Sequence, residues 1–235
     1  YTGEDTLSLH DALPIWWTSH KRLYLPIWGV AAANAVDIVS RASGTFVGGV
    51  THAAGYVQGN GSSGYFNSGH DPSSAGLTNS SGYLLALSIL ADSKSDYRAL
   101  AGSLNSATQS FEFASSGDTL RLDCFNASTG IVVGSLARNS HVGILSASRN
   151  NTAWLIRKRA TSGVSSILNT VGSAVGTVPN RSMYFMAENT GTAVSFNNGK
   201  FGAFAMGLGF SSTDLDAYTL NLKTLWETCT GLTLP

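Results

Sequence analysis

Short apolar runs of strand length recur about every 8 to 14 residues along this chain, and segments rich in Gly, Ser, Thr and Asn separate them. This pattern is typical of many short strands joined by turns, and it favours an antiparallel sandwich over alternating β/α units. One all-β sandwich can account for 235 residues, and no linker interrupts the pattern. The sequence therefore predicts a single all-β domain.

The apolar runs differ in their expected burial. Residues 111–113 and 120–124 alternate apolar with polar side chains, as expected for strands with one face on a core. Residues 83–90 are almost continuously apolar, which predicts a strand buried on both faces. The other predicted strands are residues 23–25, 47–57, 131–133, 142–145, 154–159, 165–168, 183–186 and 201–210.

The end of the chain predicts a helix at residues 211–230. Ser211 is followed three residues later by Asp214, a capping-box-like pair in which Asp replaces the usual Glu. Gly231 supplies a natural stop. Apolar residues recur at intervals of three and four and form a stripe that should dock on the sandwich. The stripe comprises Leu215, Tyr218, Leu222, Leu225, Trp226 and Cys229.

Charge is sparse and balanced. Fourteen Lys and Arg residues match fourteen Asp and Glu residues, and charged residues make up 12% of the chain, against about 25% in typical soluble domains. Nucleic acids and membrane surfaces are not expected partners, because either would require clustered like charge. The basic run Arg157-Lys158-Arg159 is interpreted as a solvated strand face. No apolar run reaches the roughly 18 to 20 residues of a membrane span, so a soluble protein is expected.

The sequence predicts no metal site and no cofactor. Cys124 and Cys229 lie far apart and form no C-x-x-C motif, so neither a zinc site nor a redox motif is predicted from them. Two buried thiols is the preferred interpretation, and a disulfide between them is left open. Asp92 and Asp96 do not belong to a calcium-binding loop.

Residues 5–15 (DTLSLHDALPI) resemble the translation of a short-read sequencing adapter. Residues 1–21 are therefore interpreted as a non-native or irregular segment, and no function is assigned to residues 1–15. The sandwich domain is expected to span residues 22–235. The true beginning of the natural protein would then not be part of this sequence.

Motifs in a fixed order resemble those of a known family. Residues 55–69 (GYVQGNGSSGYFNSG), followed by Asp71-Pro72-Ser73, look like the opening of concanavalin A-like, laminin-G-like domains. Residues 183–189 (MYFMAEN), then residues 201–209 and the capped helix, look like the closing strands of that group, and residues 22–28 (RLYLPIW) look like its lead-in strand. The resemblance covers roughly residues 22–232. It implies an antiparallel two-sheet jelly-roll sandwich with a C-terminal α-helix.

The resemblance also implies a range of functions. Because such domains occur in tailed-phage and prophage particles, it implies a non-catalytic structural or receptor- or glycan-binding module of a phage-like tail or fibre. Expected partners are further copies of the chain, other virion proteins and a glycan, and the expected location is a virion or extracellular. One alternative is the carbohydrate-binding lectin domain of a secreted bacterial protein. Another is a glycoside hydrolase or polysaccharide lyase, since a fold does not fix a function.

A glycan-binding site would need exposed aromatic side chains with amides and acids beside them. The candidate ligand-binding residues are Trp154, Tyr65, Tyr97 and Asn189. Burial in the core is the alternative interpretation for most of these aromatic residues.

No catalytic residues are predicted. Glycoside hydrolysis needs two carboxyl groups about 5 to 10 Å apart, and a strand can supply them from residues two apart because side chains alternate. The glutamates, none of which has such a local acidic partner, are Glu4, Glu112, Glu188 and Glu227. Residues distant in sequence could still meet in the fold. A lyase base and its cation could come from among His52, His70, His141, Arg98, Arg121 and Arg157.

Overall fold

The computed structural model of the protein describes residues 18–93, 95–106, 108–125, 132–151, 153–171 and 176–235. The adapter-like segment and Glu4 lie outside the described residues. Two sheets, antiparallel in nearly all their pairings, pack into a sandwich with a helix at the C-terminal end, which confirms the predicted fold class.

The described elements are mostly short. The strands are β1 (His20–Tyr24), β2 (Thr45–Val47), β3 (Thr51–Ala53), β4 (Tyr56–Gln58), β5 (Tyr65–Asn67), β6 (Ser81–Leu90), β7 (Arg98–Ser106), β8 (Gln109–Ser116), β9 (Thr119–Cys124), β10 (Val132–Ser135), β11 (Gly143–Asn150), β12 (Ala153–Ala160), β13 (Gly163–Val171), β14 (Tyr184–Phe185), β15 (Glu188–Asn189), β16 (Ala193–Val194) and β17 (Lys200–Gly207). The α-helices are α1 (Ala31–Asn34) and α2 (Ser212–Thr230).

The strands form two sheets, called the first and the second sheet. The first sheet runs β13-β12-β11-β6-β17-β4-β3, with β1 paired to β17. The second sheet runs β10-β9-β8-β7-β14-β5-β2, with β15 added beside β7 and β16 beside β15. Among the strands of the described residues, only the pair β15 and β7 is parallel.

The side chains that are buried follow the apolar pattern of the sequence. Phe111 and Phe113 lie in the core between the sheets, so the intervening Glu112 points to the opposite face of β8. Strand β6 is buried on both faces as predicted, because Leu84 lies in the core between the sheets and Leu85 lies under the helix.

Helix α2 covers the outer face of the first sheet. The predicted cap is confirmed, since the Asp214 N–H donates to Ser211 Oγ at 3.2 Å. The predicted stop is confirmed as well, since Gly231 adopts the left-handed region with φ of +67°. The buried residues of the stripe are Leu215, Tyr218, Leu222 and Trp226.

The apolar stripe predicted for α2 includes two residues that do not face the sheet. Leu225 and Cys229 are exposed, so the interpretation of two buried thiols is wrong for Cys229. An α-helix turns about 100° per residue, which places Leu225 well to the side of its buried neighbour Trp226. Cys124 is buried in the core, and both cysteines are free.

The basic run is not the solvated strand face that the sequence suggested. Arg157 and Arg159 are buried beneath α2. The Arg157 Nη2 donates to Ser212 Oγ at 2.6 Å, and the Arg159 Nε donates to Thr219 Oγ1 at 2.9 Å. Long arginine side chains can cover apolar surface while their guanidinium groups reach polar atoms, so these two arginines fasten the helix to β12.

The first strand also contacts the helix. It begins at His20, two residues before the predicted domain boundary. His20 is buried, its Nδ1 hydrogen-bonds the Tyr83 hydroxyl, and its ring lies 4.2 Å from the Tyr218 ring, centroid to centroid.

No helix within the described ranges is both long and apolar enough to cross a membrane.

Candidate functional site

Polar and aromatic side chains gather on the outer face of the second sheet. Gly102 of β7 is paired with Glu112 of β8 on one side and with Tyr184 of β14 on the other. Asp123 of β9 is paired in turn with Glu112. Because paired residues of neighbouring strands share a face, these positions form a stripe that crosses four strands.

Glu188 reaches this face from β15. A β-carbon at position 102 would lie 3.1 Å from Glu188 Cγ and 3.3 Å from Glu188 Cα, so β15 packs this closely because residue 102 is glycine. The Ser195 hydroxyl donates to Glu188 Oε2 at 3.4 Å. Glu112, Asp123 and Glu188 are called the carboxylate cluster below.

The carboxylate cluster lies next to a tyrosine and an arginine. The Tyr97 hydroxyl donates to Glu112 Oε1, and the Arg121 guanidinium lies over the Tyr97 ring, 5.0 Å from its centroid. Burial raises the pKa of Glu112 well above its ordinary value, and the charges of Glu188 and Asp123 add to this effect while Arg121 opposes it. Burial also raises the pKa of Glu188, against the hydrogen bond from Ser195 and the charge of Arg121. Glu112 and Glu188 therefore hold protons at a higher pH than ordinary glutamates.

Three aromatic rings lie beside the carboxylate cluster. The Tyr65 ring lies 4.5 Å from the Tyr184 ring and 6.1 Å from the Phe196 ring, centroid to centroid. All three residues are partly exposed. They are called the aromatic shelf below, and Tyr184 connects it to the carboxylate cluster through its pairing with Gly102.

The loop that leads into β5 is held by one asparagine. The Asn60 side-chain oxygen accepts the backbone N–H groups of Ser62, Ser63 and Gly64 at 3.0, 2.8 and 2.8 Å. This arrangement gives the Gly-Asn-Gly motif a structural role, because one amide satisfies three donors of a tight loop.

Arg98 ties this loop to the aromatic shelf. Its Nη1 donates to the backbone oxygens of Gly61 at 3.3 Å and Phe196 at 2.7 Å. Its Nε and Nη2 donate to the two carboxylate oxygens of Asp96 at 2.9 and 2.7 Å. Two segments far apart in the sequence are thereby fixed at the same end of the sandwich.

The structure brings two of the four candidate ligand-binding residues to this face. Tyr65 belongs to the aromatic shelf and Tyr97 contacts the carboxylate cluster. Asn189 is buried beside Glu188, where its Nδ2 donates to the Ser182 oxygen at 2.8 Å. Trp154 lies in the core on the first sheet, with the Arg149 guanidinium 4.7 Å from its ring centroid.

The histidines that were considered for a lyase contact different neighbours. His70 Nδ1 accepts a hydrogen bond from Arg22 Nη2 at 2.8 Å, so this nitrogen carries no proton. Asn34 Nδ2 lies 3.1 Å from His52 Nδ1. The His141 Nε2 donates to the Leu136 oxygen at 2.8 Å.

Sequence reasoning missed Asp123, Tyr184 and Phe196, and it considered Glu112 and Glu188 only as separate residues. The alternation of residues 120–124 places Asp123 on an outer face, but only the register of β8 and β9 shows that it meets Glu112. Within the described ranges, no group of three or more His, Cys, Asp or Glu residues could hold a metal ion.

Comparisons with known proteins identify the fold. No protein-family model matches the sequence, and the comparison with curated proteins found no match. The Trypanosoma rangeli sialidase in complex with sialic acid matches 86% of this chain at a TM-score of 0.61 and 10% identity. The receptor binding domain of botulinum neurotoxin C/D mosaic serotype matches 87% at 0.62 and 7% identity. The CBM40 of Ruminococcus gnavus IT-sialidase bound to α2,3-sialyllactose matches 70% at 0.52 and 10% identity.

The protein has a jelly-roll β-sandwich fold. At these identities the likeness shows the fold alone. The chain spans 32% of the sialidase chain and 51% of the neurotoxin domain, whereas it covers 96% of the CBM40 chain. The phage and laminin-G parts of the resemblance stay predictions.

Proposed function

We propose that this domain binds glycans on the outer face of its second sheet. The observation that carries the proposal is the aromatic shelf beside the carboxylate cluster. Sugar rings have apolar C–H faces that pack on aromatic side chains, while their hydroxyls need donors and acceptors placed close by. Partly exposed Tyr65 and Tyr184 supply the first requirement, and Glu188 and Tyr97 supply the second.

The fold is compatible with this role. Two of the structural neighbours named above are described with a sialic acid or a sialyllactose bound, which supports a sugar ligand as the kind of molecule to test. Membership in a phage-like tail or fibre, self-association and a virion or extracellular location belong to the proposal too. The sequence motifs alone support that part.

Glycan binding should depend on the two tyrosines of the shelf. We expect Tyr65→Ala and Tyr184→Ala each to weaken the affinity about tenfold or more, as truncation of a central aromatic contact does. A glycan array identifies the ligand, and isothermal titration then measures the dissociation constant for each variant. Tyr56→Ala is the matched control, because Tyr56 is a partly exposed tyrosine of the first sheet, where it contacts Lys200.

Two results would contradict this proposal. One is the absence of binding to any arrayed glycan by the folded wild-type protein at millimolar concentration. The other is an affinity that both shelf variants leave unchanged while their circular dichroism spectra and melting temperatures match those of the wild type.

Glycan hydrolysis is the second candidate function. It is favoured by the convergence of Glu112 and Glu188, distant in sequence, into one cluster where burial raises the pKa of each. In such a reaction one protonated carboxyl donates its proton to the leaving glycosidic oxygen as the bond from that oxygen to the anomeric carbon breaks. Water adds to the anomeric carbon, and a second, ionised carboxylate takes the proton that the water loses. Glycan binding is preferred because hydrolysis requires two carboxyl groups at the scissile bond, whereas Glu112 Oε1 already accepts a hydrogen bond from the Tyr97 hydroxyl.

A reducing-end assay on a panel of polysaccharides distinguishes the two functions. We expect no release of reducing ends by the wild-type protein. Release that disappears in Glu112→Gln and Glu188→Gln, and persists in the surface variant Asp118→Asn, would establish the second candidate in place of binding alone.

A further inference from the structure

We propose that the aromatic shelf binds glycans that carry no carboxylate or sulfate group, and this inference rests on the proposed function. The charge beside the shelf is the first reason. Glu188 lies over Gly102, the residue to which Tyr184 of the shelf is paired, and Glu112 and Asp123 continue the same stripe. This part of the face already disfavours negative charge, since burial and the charges of Glu188 and Asp123 raise the pKa of Glu112. An acidic sugar stacked on Tyr184 would bring one more negative charge to it, which opposes association.

The cations near the shelf are the second reason. Recognition of a sugar carboxylate is strongest when an arginine offers two parallel N–H donors. The Arg98 fork is already bound to Asp96, with both distances below 3 Å, and its remaining Nη1 donates to two backbone oxygens. Arg121 lies over Tyr97, where the charges of Glu112 and Glu188 act on it. Arg181 precedes β14 and contacts β7, where its Nη1 donates to the Leu104 oxygen at 2.7 Å.

A neutral sugar is not repelled by the carboxyl groups and does not need a cation. Its hydroxyls can donate to ionised carboxylates and accept from protonated ones, from the tyrosine hydroxyls and from the edge of Arg121. The binding of a neutral glycan therefore requires no change in the ion pairs of the face, whereas an acidic glycan would have to compete with Asp96 for Arg98.

Matched pairs of glycans test this inference. The probes are oligosaccharides arrayed in a neutral form and in otherwise identical sialylated and sulfated forms, followed by titration of the best-binding pair. We expect the neutral form to bind about tenfold more tightly or better at low ionic strength, and the difference to shrink in high salt as charges are screened. Equal or tighter binding of the acidic forms would overturn the inference and leave the proposed function standing. Binding of no form at all would instead refute the proposed function, and this inference with it.

One variant tests the role of Asp96. Its side chain is 65% exposed, so Asp96→Asn should fold normally while it releases the Arg98 fork. We expect the preference for the neutral form to fall to about threefold or less, because a bidentate cation becomes available beside Phe196. Asp118→Asn is the control, since Asp118 is exposed in the turn between β8 and β9 and the substitution removes the same charge. An equal effect of the two substitutions would show that net charge, and not the Arg98 fork, governs the preference.

Discussion

Replacement of Trp226 by alanine should lower the free energy of unfolding by about 3 to 5 kcal/mol, the range seen when large aromatic residues are removed from cores. Trp226 is completely buried between α2 and the first sheet, and its Nε1 donates to the Gly55 oxygen at 3.2 Å. A β-carbon at position 202 would lie 2.3 Å from that nitrogen, so the indole fills the space above a glycine. Truncation leaves a cavity that Gly202 has no side chain to fill, and it leaves the Gly55 oxygen without this donor.

Urea unfolding followed by circular dichroism measures this loss. The matched control is Leu225→Ala, one position earlier on the same helix, where the side chain is 43% exposed. Its cost should stay below about 1 kcal/mol because surface substitutions remove little burial. Equal losses for the two variants would contradict the docking of α2 on the first sheet through Trp226.

Acidification from pH 7 to pH 3 should cost the wild-type protein about 4 kcal/mol more stability than it costs His20→Gln, because each pKa unit corresponds to about 1.4 kcal/mol. Burial lowers the pKa of His20 from 6.5 to about 3. As the pH falls below 6.5, the unfolded chain takes up a proton that folded His20 takes up only near pH 3. The stability contributed by neutral His20 is therefore present above pH 6.5 and is lost progressively as the pH falls to about 3.

The comparison with His20→Gln isolates this one group. Glu112 and Glu188 act in the opposite direction, because a raised pKa lets the folded state bind protons before the unfolded state does. Their contribution is the same in both proteins and cancels in the difference. Parallel curves of unfolding free energy against pH for the two proteins would show that His20 is not buried as a neutral base.

Local patterns in the sequence were sufficient to predict much of the fold. The alternation around Glu112 and the Ser211 cap depend on residues within one strand or one helical turn, and both are confirmed. Residues 47–57 were predicted as one strand but form parts of β2, β3 and β4. Gly48 and Gly55 adopt positive φ values of +70° and +88°, which turn the chain between these strands.

The candidate site could not be predicted because it depends on strand register. Glu112 and Glu188 meet only because β8 and β15 both pair with β7 at Gly102. A glycine within a strand has several possible meanings, and nothing near Gly102 in the sequence indicates which strand crosses it. The burial of Arg157 could not be predicted either. A basic residue in a strand is expected to face solvent unless the helix that covers it is known.

The motifs that resemble a known family contain residues that hold the backbone around the site. Asn60 organises the loop before β5, and Asp71 accepts the Ser74 N–H at 2.7 Å in the following turn. Arg98 then joins the first of these loops to the segment at Phe196. These residues fix backbone, whereas the aromatic shelf projects from the elements that they position.

A crystal structure of the protein with a bound neutral oligosaccharide tests the central claim most directly. We expect a sugar ring packed on Tyr65 and Tyr184, with hydroxyls within hydrogen-bond distance of the carboxylate cluster or Tyr97. A sugar bound anywhere else, with the aromatic shelf unoccupied, would contradict it.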